Sequence, residues 1–370
     1  MEENEISSHA ESGALSLLTE KFNIKEFENL LSDYPKYRSR QIYDWILSGA
    51  DSFEQMTNIP KKLKDELKTR FKIFSGNVAS CHEDKNTKKI VIQYGDGVKT
   101  EAVLLRDKKN RFTACISTQA GCPCGCVFCK TGTLKFKRNL ESSEIIEQYL
   151  RLINICKNNY FDNIETQQNK KEHLIGNIVI MGMGEPLLNL INLRKAIDVF
   201  TDPAGINLSK RRITVSTCGI FKGLFDFADN GPFVKLALSL TTADEKLRAS
   251  LMPITEFNSL LKIKEALLLY QKNGGGRVTL EIPLLGGINT RAKDASSIRD
   301  FAKGLSSVIN IIPWNPVSGL EFNGAPLREP EKDEADNFKK KLEDFNFKVT
   351  MRLHKGRKVL GACGQLGSTD

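Results

Sequence analysis

The sequence predicts an α/β fold: a partial (β/α)6 barrel preceded by a small helical accessory domain and a β-hairpin. Three observations predict it. From about residue 111, strand-like and helix-like stretches alternate six times, as in a parallel sheet with right-handed crossovers. Before that, apolar residues recur at helical spacing over 21–72 and alternate as in strands over 73–110. Four of the nine cysteines crowd into residues 122–129, directly after the first strand of the alternating region. Chemistry in such folds collects at the C-terminal ends of the strands, so that loop lies where a site is expected.

In chain order, residues 1–20 read as a disordered leader, acidic at its start and without the basic and apolar stretches of a signal peptide. No apolar run approaches the length of a membrane span. Clustered thiols point to metal or redox chemistry in a reducing compartment, so a cytoplasmic, membrane-free protein is expected. Helices over 21–72 follow from Phe27, Leu30 and Leu31, from Ile42, Trp45 and Ile46, and from Leu63 and Leu67, punctuated by Pro35 and Pro60. Their basic residues, Lys36 to Arg40 and Lys61 to Lys64, form either a solvated face or an RNA-docking module. Ile90, Ile92 and Tyr94, the turn Gly95-Asp96-Gly97, then Val98, Ala102, Leu104 and Leu105 predict the hairpin.

The core, 111–370, has strand candidates at Thr113–Thr118, Asn177–Met183, Arg212–Thr217, Val234–Leu240, Val278–Leu285 and Ser307–Trp314. Helices are expected at Ser142–Cys156, Leu190–Phe200, Ile220–Ala228, Asn258–Gln271 and Ala295–Gly304. Six strands rather than eight imply an open barrel. A seventh, Lys348–Leu353, follows a helix at Lys332–Phe345 and is placed to close one side. The polar stretch Lys157–His173 reads as a mobile insertion.

Within the cysteine loop, Cys122-x3-Cys126-x2-Cys129 can hold three corners of a cuboidal iron–sulfur cluster and leave one iron open. The competing reading is a zinc loop, but a second ligand pair at zinc-like spacing is missing from the sequence. Cys124 is a bystander or shifts the ligand set by two residues; the spacing favours Cys122, Cys126 and Cys129. This pattern, with Phe128 between the last two cysteines, resembles the signature of radical S-adenosylmethionine (SAM) enzymes. The Gly184-Glu185-Pro186 element after the second strand resembles the place where that superfamily receives SAM's ammonium; by itself it is a glycine turn.

Several stretches together resemble the RlmN-type adenine C2-methyltransferases of 23S rRNA and tRNA, from about residue 20 to the C-terminus. They are Cys115–Cys122, Met181–Asn189, Leu208–Arg212, Met252–Ile254 and Ala362–Leu366. The resemblance implies a [4Fe-4S] cluster and SAM as cofactors, with SAM contacts at Gly184, Glu185, Ser216, Ser239, Leu240, Thr241 and Asn315. Thr241 departs from the family, whose members usually have His there. A backbone contact would survive that change and an imidazole contact would not.

The resemblance also implies a mechanism. A first SAM methylates Cys363, a second yields a 5′-deoxyadenosyl radical, and that radical takes hydrogen from the new methyl group. The resulting carbon adds to adenine C2, Glu101 accepts the C2 proton, and Cys115 displaces the product by forming a transient disulfide with Cys363. From the residues alone, Cys363 on its glycine-flanked loop would read as a spare buried cysteine, Cys115 as a core residue and Glu101 as a surface carboxylate. Flavodoxin or ferredoxin is the implied electron donor, and a monomer the implied state.

A net charge of +9 points to a polyanionic partner, with RNA first. Backbone contacts are expected at Lys135–Arg138, Lys210–Arg212 and His354–Lys358, placed near the barrel mouth. Three other functions compete: C8 methylation of an rRNA adenosine, as in related antibiotic-resistance enzymes; a glycyl-radical activating enzyme, which needs neither Cys363 nor Cys115; and a zinc-dependent RNA-binding protein.

Overall fold

The computed structural model describes residues 15–20, 22–160, 173–351 and 356–367. Ten strands form one sheet: β1 Asn77–Asp84, β2 Thr87–Gln93, β3 Lys99–Arg106, β4 Phe112–Ile116, β5 Ile175–Ile180, β6 Ile213–Thr217, β7 Lys235–Ser239, β8 Val278–Leu284, β9 Ser307–Pro313 and β10 Val349–Met351. Their order across the sheet is their order in the chain. β4 to β10 run parallel, while β1, β2, β3 and β4 pair antiparallel. The hairpin is therefore continuous with the barrel sheet. β10 adds to the outer edge of β9 and does not pair with β1, so the barrel is open.

Period-two alternation divides the strands between two environments. Ile213 and Val215, Leu236 and Leu238, Leu280 and Ile282, Ile309 and Ile311 are buried in the apolar core. The intervening positions include Ser216, Ser239, Glu281 and Ile312, which line an interior cavity. In a full barrel, bulky apolar side chains fill that space; here the lining is largely small or polar and room remains.

The crossover helices are α4 Ser142–Tyr160, α5 Leu190–Thr201, α6 Phe221–Asn230, α7 Glu245–Leu251, α8 Leu260–Lys272, α9 Ala292–Ala302 and α10 Lys332–Asp344. Ahead of the sheet, three helices (Ile24–Leu30, Lys36–Leu47 and Lys61–Arg70) bury Phe22, Phe27 and Tyr43 ring against ring. Asn23 caps the first by accepting the Glu26 N–H at 3.0 Å.

Part of the expected leader is folded, residues 15–20, while residues 1–14 lie outside the described residues. Leu15 and Ser16 pair with Phe71 and Lys72, and Leu17 and Leu18 are buried. Their apolar side chains give this stretch a reason to fold. Residues 161–172, most of the expected insertion, lie outside the described residues.

Candidate active site at the strand ends

The cysteine loop leaves the sheet through Gly121, whose φ is +76° and where a Cβ would run into the Lys135 carbonyl. Three contacts then fix its path. The Val127 N–H donates to Leu251 O at 3.0 Å, Trp314 Nε1 donates to Phe128 O at 2.8 Å, and the Lys130 N–H donates to Gly364 O at 2.8 Å. Cys122, Cys126 and Cys129 line one cavity. Burial pushes the Cys126 and Cys129 thiols up, so their thiolates require an electropositive partner, as metal coordination supplies. Cys124 lines the same cavity and is buried, with its sulfur 3.5 Å from that of Cys218.

The opposite wall is the turn after β5. Gly184 has φ +97°, and a Cβ there would stand 2.5 Å from Cβ of Gln119. Only glycine lets this turn lie so close to the strand leading into the cysteine loop. Glu185 is buried and accepts from Thr217 Oγ1 at 2.6 Å, the Cys218 N–H at 2.7 Å and the Leu187 N–H at 3.0 Å. Desolvation outweighs these bonds and raises its pKa. The hydroxyls of Ser216 and Ser239 are 3.3 Å apart. Gly184, Glu185, Ser216, Ser239 and Asn315 all line the cavity with the three cysteines.

Leu240 and Thr241 do not line that cavity. Both are fully buried, and their carbonyls accept from Arg248 and Asn289. Thr241 holds φ +62°. Sequence reasoning missed Glu281, a cavity-lining carboxylate that accepts from Asn310 Nδ2 at 2.7 Å. Its signal was available, because it is the one charged residue in the strand Val278–Leu284.

Cys363 also lines the cavity, half-buried rather than exposed. Its carbonyl accepts from Asn315 Nδ2 at 3.0 Å, and Asn315 is in turn held by Arg357 Nε at 2.9 Å. Thr131 Oγ1 donates to Leu366 O at 2.7 Å, and Gln365 Nε2 donates to Pro316 O at 3.0 Å. The loop is docked across the strand ends.

Cys115 and Glu101 are not on this wall. Cys115 lies opposite Val103 in the β3–β4 pairing, and Glu101, two residues from Val103, shares its sheet face. Cys115 packs with Val103, Met183 and Leu366. Glu101 contributes to a second cavity with Lys99, Lys135, Lys137 and Gly367. Met183–Gly184 and Gly121–Cys122 each give one residue to either cavity, so the two cavities back onto each other. Lys89, which sequence reasoning passed over, is fully buried, with Nζ 3.3 Å from Glu101 Oε2 and 3.3 Å from Leu360 O.

The basic clusters need correction. Lys210–Arg212 immediately precede β6, so they lie at the N-terminal end of the strand, away from the cavity. Arg138 is engaged by Asp96 and Glu144, and Arg357 by Asn315 and Glu329. Lys135 and Lys137 remain exposed, beside the second cavity. His354 and Lys355 lie outside the described residues.

These features define a radical SAM enzyme: an open barrel, the thiols of Cys122, Cys126 and Cys129 on one cavity at the strand ends, and a facing glycine–glutamate turn. Residues 116–295 match the radical SAM superfamily, and residues 21–73 match the ribosomal RNA large subunit methyltransferase N-terminal domain. The chain is 45% identical over 346 residues to the "Probable dual-specificity RNA methyltransferase RlmN" of Treponema denticola, covering 93% of this chain and 94% of that one. It is 36% identical to the protein of that name from Dictyoglomus turgidum, covering 93% and 95%. A radical SAM methyltransferase crystal structure from Sphaerobacter thermophilus superimposes with a TM-score of 0.84 at 30% identity, covering 96% of this chain and all of that one. The chain belongs to the RlmN family of radical SAM RNA methyltransferases, which use a [4Fe-4S] cluster and SAM.

The residues present fit that cluster. The Cys122, Cys126 and Cys129 thiols line one cavity, Phe128 is buried beside them, and the facing turn offers a carboxylate.

Proposed function

We propose that this methyltransferase acts on C2 of an adenosine in 23S rRNA and of the adenosine 3′ to the anticodon in tRNAs, through a methylated Cys363. The observation that carries the reading is that Cys363 lines the same cavity as Cys122, Cys126 and Cys129. Adenine C2–H is too weakly acidic for direct transfer of a methyl cation, so the carbon must arrive by another route. Cys122, Cys126 and Cys129 hold the cluster, which when bound supplies one electron to SAM.

The chain's own residues do the rest. Glu185 receives the SAM ammonium, the Ser216 and Ser239 hydroxyls are placed for its ribose, and Asn315 orients the Cys363 loop. Leu240 and Thr241, buried behind the cavity wall with their backbone groups bonded to Glu281, Arg248 and Asn289, act by holding it in place. The Cys363 methyl carbon, having given a hydrogen atom to the SAM-derived radical, adds to C2, and the odd electron left by that addition would return to the cluster when it is bound. Glu101 accepts the C2 proton. The Cys115 thiolate attacks the Cys363 sulfur, the carbon–sulfur electron pair goes to the departing carbon, that carbon takes up a proton, and 2-methyladenosine leaves as the disulfide forms. Their common sheet face supports pairing Glu101 with Cys115 on the substrate side. The adenosine must be unstacked to reach a sulfur inside the fold. Flavodoxin or ferredoxin supplies the electron to a cytoplasmic monomer.

The test is nucleoside mass spectrometry of rRNA and tRNA from a host lacking its own enzyme, with and without this gene. Gene-dependent 2-methyladenosine in both RNAs is expected. 8-Methyladenosine, or no methyladenosine, would overturn the reading.

A further inference from the structure

Arg248, on α7 beneath the cysteine loop, is fully buried. Its guanidinium donates only to neutral oxygens: Leu240 O at 3.1 Å, Thr255 Oγ1 at 2.7 Å, Cys218 O at 2.5 Å and Ser239 O at 3.3 Å. It makes no salt bridge among the described residues. Arginine remains charged in proteins, and a buried charge without an opposite charge is costly. The fold therefore holds a cation whose counter-charge is not a carboxylate in contact with it.

The surroundings indicate where the counter-charge belongs. Burial lowers the Arg248 pKa, and Cys218, Cys126, Glu245 and Glu185 oppose that shift; its guanidinium bonds the Cys218 carbonyl, and Cys218 and Cys126 line the cavity of the cysteine loop. Cys126 is one of the three cluster cysteines. The next residue, Val127, donates its N–H to Leu251 O in the last turn of the helix that carries Arg248. The four hydrogen bonds fix the guanidinium in place, so its field is already set when charge arrives.

We infer that Arg248 is the fixed counter-charge of the iron–sulfur cluster and makes the cluster easier to reduce. A cluster held by three thiolates is anionic and gains a further negative charge on reduction. A fixed cation in a low-dielectric setting therefore stabilises the reduced form more than the oxidised one. Arg248 touches neither SAM nor RNA in this role; it acts through the cluster. The inference rests on cluster binding by Cys122, Cys126 and Cys129, and not on the roles of Cys363, Cys115 or Glu101.

The experiment is an EPR-monitored redox titration of anaerobically reconstituted full-length protein without RNA, with iron content and thermal melts as controls. Arg248→Gln should lower the reduced-to-oxidised ratio at a given potential at least tenfold, about 59 mV for one electron. Arg248→Lys should stay within a few-fold of wild type at neutral pH. A wild-type midpoint in Arg248→Gln overturns the inference. Should Arg248→Gln not fold, Arg248→Lys carries the test. A buried lysine gives up its proton far more readily than arginine. The midpoint of that variant should fall as pH rises relative to wild type, and parallel profiles in the two proteins would overturn the inference. Because no RNA is present, either failure leaves the methylation reading intact, and absence of 2-methyladenosine leaves this inference intact.

Discussion

Lys130 donates its backbone N–H to the carbonyl of Gly364 at 2.8 Å, tying the residue after the last cluster cysteine to the residue after Cys363. One step further on, the buried Thr131 hydroxyl holds Leu366 O at 2.7 Å. Thr131→Val removes that bond and leaves a buried carbonyl without it, a loss of about 1–3 kcal/mol. The expected outcome is several-fold faster alkylation of Cys363 by iodoacetamide, with iron content unchanged. An unchanged alkylation rate would mean that this bond does not hold the loop.

Cluster loading should divide the four crowded cysteines. Cys122, Cys126 and Cys129 each replaced by Ala should lose most iron after anaerobic reconstitution. Cys124→Ala should keep it, because Cys124, although it lines the same cavity, falls outside the x3/x2 spacing and stands 3.5 Å from the Cys218 sulfur. Iron loss in Cys124→Ala equal to that in the other three would place it in the ligand set.

The strands and the cysteine loop were legible because their signals are local. Alternation marks a strand, and a three-cysteine spacing survives without tertiary context. What the sequence hid was pairing across distance. Lys89 and Arg248 look like ordinary charges on a strand and a helix, yet both are fully buried; only the fold brings Leu360 to one and Cys218 to the other. Arg138 looked available to RNA because Asp96 and Glu144 lie 42 and 6 residues away in either direction of the chain. The misplacement of Lys210–Arg212 had a remedy within the sequence: a cluster preceding a parallel strand belongs to the end opposite the site.

That correction changes what salt should do. RNA affinity should fall with salt at a log–log slope of about −0.7 per phosphate neutralised on single strands. Replacing Lys135 and Lys137 by Ala should flatten the slope by one to two such increments, whereas Ala at Lys210, Arg211 and Arg212 should leave it alone. Filter binding at several salt concentrations measures this. A slope that responds only to the second set would put the RNA on the other end of the barrel.

Burial holds the Glu185 carboxyl above the usual carboxylate range. Only its ionised form attracts an ammonium. SAM affinity should therefore be full at high pH and be lost as pH falls through that raised value, before an ordinary glutamate at about 4.3 would protonate. Equilibrium dialysis with cluster-loaded protein checks it. Glu185→Gln should bind weakly at all pH values, and wild-type affinity that stays flat down to the ordinary range would remove Glu185 from this role.

The two remaining thiols should fail in different ways. Cys363 stands on the cluster cavity, while Cys115 packs behind Met183 and Leu366. On the proposed route, Cys115 attacks the Cys363 sulfur only after the carbon has been transferred. Without Cys363 nothing carries the methyl group: Cys363→Ala should load iron and bind SAM yet show no added methyl mass and no link to RNA. Without Cys115 the carbon reaches C2 but its bond to sulfur persists: Cys115→Ala should acquire the methyl, react once and stall. Denaturing gels of protein purified from cells should then show a slow-migrating species that nuclease collapses. Thr131→Val in the Cys115→Ala background should still accumulate it, because a looser loop does not replace the missing nucleophile. Normal turnover by Cys115→Ala, or 2-methyladenosine from Cys363→Ala, would rule out the two-cysteine route.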